Sequence, residues 1–118
     1  MTSHASDNNK VYACAIQNDS DSDIHVVLTY AGIPDVRGDI KQTRVEQDVP
    51  KGQRKYVYQR LVTRATSNII EVIERLDVTK ANGGKLELKA PFAGVKGRVT
   101  EWVFVVNNTE IKSGESKK

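Results

Sequence analysis

Nucleophilic or acid–base chemistry in this chain would have to come from Cys14, His25 or His4, its single cysteine and two histidines. A cysteine nucleophile needs an activating base within hydrogen-bond reach. Cys14 and His25 become neighbours only if the two β-rich runs that carry them pair as a hairpin. Against activation, Cys14 stands between Ala13 and Ala15, the setting of an inert core thiol rather than of a low-pKa thiolate. The chain has no glycine-rich phosphate loop, no nucleophile elbow and no His/Cys spacing suited to zinc. Its carboxylate pairs sit in charged strands or loops, where solvation accounts for them. These residues predict a protein that is not an enzyme and needs no cofactor.

Asp19, Asp21 and Asp23 alternate within one polar run and offer the hard oxygen ligands that calcium prefers. Asp35, Asp39 or Asp77 would have to complete such a site from another loop. The spacing matches only the first half of an EF-hand loop. Ile24 stands where the sharp-turn glycine belongs, and Tyr30 where the bidentate glutamate belongs. The better account is a turn made soluble by Asp and Ser side chains that bond nearby backbone, and no metal is expected. Arg37-Gly38-Asp39 spells an integrin-recognition tripeptide, and Asn18-Asp19-Ser20 and Asn107-Asn108-Thr109 are sequons. All three motifs need secretion, and Met1 to Lys10 holds no apolar run that would form a signal-peptide core. A lone cysteine also rules out an intrachain disulfide. Both observations predict an intracellular, cytoplasmic protein, and no run approaches the ~18 apolar residues of a membrane span.

Charge is more informative, because Lys51, Arg54, Lys55, Arg60 and Arg64 lie in one segment that holds no acidic residue. Taking those five from the 18 basic residues leaves 13 against 15 acidic ones, so this segment alone brings a slightly acidic chain to a net charge of +3. Strand alternation puts Tyr56, Tyr58 and Arg60 on one face and Val57 and Leu61 on the other. With the tyrosines outward, rings can stack on bases while cations hold phosphates, as single-stranded nucleic-acid binding requires. An acidic protein or an anionic membrane surface would suit the same patch. With the tyrosines inward, Val57 faces solvent and the cations merely guard a strand edge against aggregation. The inward arrangement is favoured, because no second aromatic–basic segment reinforces the patch and +3 is modest for a nucleic-acid binder.

The elements that must carry these residues read as strands. Val11 to Ile16 and Ile24 to Ala31 flank the polar run Asn18 to Asp23, which predicts a hairpin. In the second run Ile24, Val26, Leu28 and Tyr30 share a face, with His25, Val27 and Thr29 opposite. Gly32 to Gly38, with Pro34 inside it, reads as a loop. Val49-Pro50-Lys51-Gly52 predicts a second hairpin with arms over 40–49 and 54–63, Val45 facing Val57 and Asp48 facing Arg54. Asn82-Gly83-Gly84 predicts a third, with a three-residue loop that pairs Val78 with Leu88 and Asp77 with Lys89. In the last strand, Val99 to Val106, Trp102, Phe104 and Val106 lie on one face and Val103 and Val105 on the other, which suits a central position in a sheet. Ile69, Val72, Ile73 and Leu76 match helical spacing, and Asn68 with Glu71 would cap such a helix. The run's β-branched residues favour a strand instead.

With 118 residues the chain is one domain. The expected fold is an all-β antiparallel sandwich of about six to eight strands, with an immunoglobulin-like order or a small barrel among the topologies. The alternative is an α+β fold with one short helix near 68–76. The domain is expected over 10–110, between a disordered tail at 1–9 and a flexible one at 111–118. The expected function is a non-catalytic binding module for another protein. The alternatives are a nucleic-acid-binding domain using Lys51 to Arg64 and a calcium-responsive module using the aspartate loop.

Overall fold

A computed structural model describes residues 9–34, 37–63 and 68–114, and among them the chain forms strands and no helix. In order these are β1 (Lys10–Val11), β2 (Cys14–Asn18), β3 (Ile24–Pro34), β4 (Ile40–Val49), β5 (Arg54–Val57), β6 (Leu61–Thr63), β7 (Asn68–Ile70), β8 (Ile73–Lys80), β9 (Lys85–Lys89), β10 (Arg98–Val99), β11 (Trp102–Val106) and β12 (Ile111–Ser113). Two four-stranded sheets, β12-β11-β2-β5 and β4-β3-β8-β9, form a β-sandwich, with small pairs β1-β10 and β6-β7 beside them. No helix among the described residues is long and apolar enough to cross a membrane.

Period-two alternation decides which side chains meet between the sheets. Ile24, Val26, Leu28 and Tyr30 of β3 are all buried, as their shared face predicts. From the β2 sheet Cys14, Ile16, Val57, Phe104 and Val106 join the same core. Burying each large aliphatic or aromatic side chain contributes about 1.5–3 kcal/mol relative to leaving it in water. The segment near 68–76 is strand rather than helix: β7 and β8 flank a break at Glu71 and Val72, and Ile73, Leu76 and Val78 enter the core. β11 lies between β12 and β2, the central place that its two apolar faces predict.

Several local expectations give way to long-range pairing. Neither of the first two hairpins forms, because β2 and β3 lie in different sheets, as do β4 and β5. The partner of Val45 is Leu28 and that of Asp48 is His25. The turn at Pro50 is present, with Gln53 N–H donating to the Pro50 carbonyl (3.0 Å) and Gly52 at φ +79. It delivers the chain to β2, since Gly52 N–H donates to the Asn18 carbonyl and Asn18 N–H to that of Gln53. Asn18 is wholly buried. Its Nδ2 donates to the carbonyls of Ser22 (2.8 Å) and Val49 (2.9 Å), and its Oδ1 accepts from Ser20. One side chain therefore satisfies a carbonyl in each of the two crossovers and ties them together.

The third hairpin forms with a loop of Ala81, Asn82 and Gly83, closed by Lys80 N–H on the Gly84 carbonyl (2.7 Å). Val78 faces Leu86, Leu76 faces Leu88 and Asp77 faces Glu87, two residues away from the expected register. A shift of two keeps every side chain on its face, so apolar still meets apolar. Asp77 loses its lysine partner, and Arg75 instead holds both Asp77 (2.8 Å) and Glu87 (2.7 Å).

Strand β3 runs through Pro34, past the point where a loop was expected, with a bulge between Tyr30 and Ile33. The stretch expected to be a flexible tail begins with β12, which pairs with β11 and buries Ile111. β1 and β2 run parallel to β10 and β11 in one register, from Lys10 opposite Arg98 to Asn18 opposite Val106.

Candidate binding face

Across the β2 sheet, Ala15 lies between Tyr56 and Val103, and Gln17 between Arg54 and Val105. Alternation sends these residues outward, while Cys14, Val57 and Trp102, opposite one another, point to the core side. Tyr56 is 58% exposed and Tyr58 77%, whereas Val57 is 7% exposed. The tyrosines thus face out, against the favoured expectation. Val57 fits the inter-sheet core next to Cys14, and a tyrosine there would bring a hydroxyl that needs a partner.

The two rings form one wall of a groove of about 510 Å³. Ala13 and Ala15, both buried, line it together with Glu101 and Val103, and Ala15 lies between Tyr56 and Val103 across the sheet, so it forms the floor there. Methyl groups on the middle strand leave a trough between bulkier neighbours. The cue in the sequence is the pair of alanines that flank Cys14, Ala13 in the bend before β2 and Ala15 within it.

The outer face of the β3 sheet is of another kind. His25 lies between Asp48 (Nδ1 to Oδ1, 2.6 Å) and Glu46 (Nε2 to Oε1, 2.9 Å), and Arg75 bridges Asp77 and Glu87. Alternating charges of both signs cover this face, which is what a solvated sheet surface looks like.

The basic segment is split by its geometry. Arg54 is on the face of Tyr56 and donates from Nε to Gln17 Oε1 (3.0 Å). Lys55 has the opposite parity, with Val57, and is half-buried, while Lys51 is exposed in the turn. Arg60 is exposed but paired rather than a free cation beside the tyrosines: its Nε donates to Glu71 Oε1 (3.0 Å), and its guanidinium lies 5.8 Å from the Tyr30 ring centroid. Glu71 is only 3% exposed, so the arginine neutralises a buried carboxylate. Leu61, expected on the same face as Val57, is 58% exposed whereas Val57 is buried. The strand breaks over 58–60, so the alternation does not carry through. Arg64 lies outside the described residues.

Cys14 and His25 are not brought together, since they stand in different sheets and His25 is turned outward. Burial pushes the Cys14 thiol up to about 12, which keeps it protonated. Asp19 Oδ1 accepts from Gln17, the Asp21 amide donates to Asn108 Oδ1, and Asp23 Oδ1 accepts from the Lys51 amide. Among the described residues no group of three His, Cys, Asp or Glu side chains is arranged to hold a metal ion. Asp35 and His4 lie outside the described residues, and Arg37-Gly38-Asp39 is an exposed turn.

The chain matches no family model, no curated protein and no solved structure. Its function is therefore read from its own residues and geometry.

Proposed function

We propose that the protein is a non-catalytic binding module that holds a partner protein on the outer face of the β2 sheet. The observation that carries this reading is the pair Tyr56 and Tyr58, standing out of the sheet beside the alanine-floored groove. Exposed large aromatics beside a concavity mark interaction sites, because they bury much area at little entropic cost. A non-catalytic role fits the protonated Cys14 thiol and the engagement of His25 by two carboxylates. A second reading, single-stranded nucleic acid, is favoured by two stackable rings next to Arg54. It is the weaker one, because Arg60 is committed to Glu71 and Lys55 has the opposite parity.

The test is capture on the immobilised protein from a nuclease-treated lysate of its own cells. Wild type is expected to retain a protein that both Tyr58→Ala and Ala15→Leu lose, with circular dichroism unchanged. The first substitution removes the wall and the second fills the trough. Retention by both variants would place the contact elsewhere, and loss on nuclease treatment alone would favour nucleic acid.

A further inference from the structure

Resting on that reading of the β2 sheet as the contact surface, we infer that the partner enters as an extended acidic segment, pairing with the outer edge of β5 as a fifth strand. In an antiparallel ladder, residues alternate between those that exchange hydrogen bonds with the neighbour and those whose backbone groups point away. Asn18 N–H donates to the Gln53 carbonyl (2.9 Å). With the register Gln17 to Arg54 and Cys14 to Val57, the bonding pairs are then Ile16 with Lys55 and Cys14 with Val57. The N–H and C=O of Tyr56 point the other way, to the edge of the sheet, where β5 has no further strand beside it among the described residues. That edge is a template for another chain.

Side chains select the occupant. The segment Lys51 to Arg64 holds no acidic residue, and Lys51, Arg54 and Lys55 flank the edge. The other long edges carry both signs: Arg44 with Glu46 and Asp48 on β4, and Glu87 between Lys85 and Lys89 on β9. Among the described strands, only β5 combines a single sign with exposed aromatic rings, against which alternate side chains of an added strand would rest. A second copy of the chain fits poorly, because antiparallel pairing of β5 with itself brings like charges together. The break over 58–60 leaves Tyr58 able to extend the ladder once a partner strand is present.

The experiment uses a synthetic peptide of alternating glutamate and valine, titrated into the ¹⁵N-labelled protein. The Tyr56 amide is expected to shift most and to exchange more slowly with solvent, while the amides of Lys55 and Val57, already bonded to β2, move less. N-methylation of the alternate peptide residues that face β5 should weaken binding at least about tenfold, and methylation of the intervening ones should leave it nearly intact. This arm leaves the protein unaltered, so it does not depend on any variant folding. Lys51→Glu together with Lys55→Glu should also cost about tenfold, and a lysine–valine peptide should not bind.

Failure of the acidic peptide to bind would overturn the inference. Binding that ignores N-methylation in either register would overturn strand addition. If Tyr58→Ala and Ala15→Leu still weakened that binding, the face would stand as the contact surface. Binding of an oligonucleotide but of no peptide would overturn both the inference and the protein-binding reading.

Discussion

Tyr58 and Tyr30 are the same side chain in opposite settings, one 77% exposed and the other wholly buried. Tyr58→Ala should change unfolding free energy by within about 0.5 kcal/mol in urea titrations, as exposed substitutions do. The Tyr30 hydroxyl is buried with no hydrogen-bond partner among the described residues, so Tyr30→Phe should be neutral or stabilising by up to about 1 kcal/mol. A loss of stability there would mean that the hydroxyl is satisfied in solution. Arg60 is the cation whose removal should hurt. Arg60→Ala leaves Glu71 buried and unpaired, and with the arginine side chain 44% exposed the loss should be about 1–3 kcal/mol. His25 is held above its ordinary pKa first by its hydrogen bond to Asp48, which outweighs the cost of burial, and Glu46 adds to the rise. A raised folded value stabilises fully below the unfolded pKa of about 6.5 and is lost as pH rises through the folded one. The ring is well exposed, so the stability change itself should be small and salt-sensitive. The direct check is the NMR titration midpoint, expected above about 6.5 and lowered by Asp48→Asn.

Elements differ in how much of their pairing is local. The β8–β9 hairpin is closed by its own loop, with Gly83 at φ +96, and a short window of sequence reveals it. The two turns at Asn18 and Pro50 carry the same kind of turn residues, yet they join sheets rather than strands of a hairpin. The two are tied together by the buried Asn18 amide, which bonds to Ser22 and to Val49 some thirty positions away, a contact no short window of sequence reveals. The β6–β7 pair stands apart from both sheets, with Leu61 largely exposed, and an isolated two-stranded ribbon is marginal in water. Amide exchange should therefore be fastest in β6 and β7 and slowest in β2, β3 and β11, at Ile16, Leu28 and Phe104. Protection in β6–β7 equal to that of β11 would show that the ribbon shares the cooperative core.

For the whole molecule, the decisive feature is the parallel ladder that sets Lys10 to Asn18 beside Arg98 to Val106. The sandwich closes only when the two ends of the domain meet, so loop-closure entropy precedes most of the gain from burial. Refolding after stopped-flow dilution from denaturant should take milliseconds to seconds, as for other all-β domains of non-local topology. Microsecond folding would imply that local hairpins carry more stability than this arrangement allows.

Fold class, the buried face of Ile24 to Tyr30, the central place of Trp102 to Val106 and the turns at Asn18 to Asp23, Pro50 and Asn82-Gly83 were legible in the residues. Each follows from period-two alternation or from backbone preferences that act over a few neighbours. The faces of the β8–β9 hairpin were legible too, but not its register, because a slip of two preserves the same pattern. Alternation also put Tyr56 opposite Val57 without saying which of them faces inward. That was decided by the second sheet, which offers Val57 an apolar neighbourhood and leaves the tyrosines beside a trough floored by alanines. Which strands pair, where Arg60 finds its carboxylate, and that a groove exists at all depend on residues far apart in the chain, brought together only when the two sheets pack.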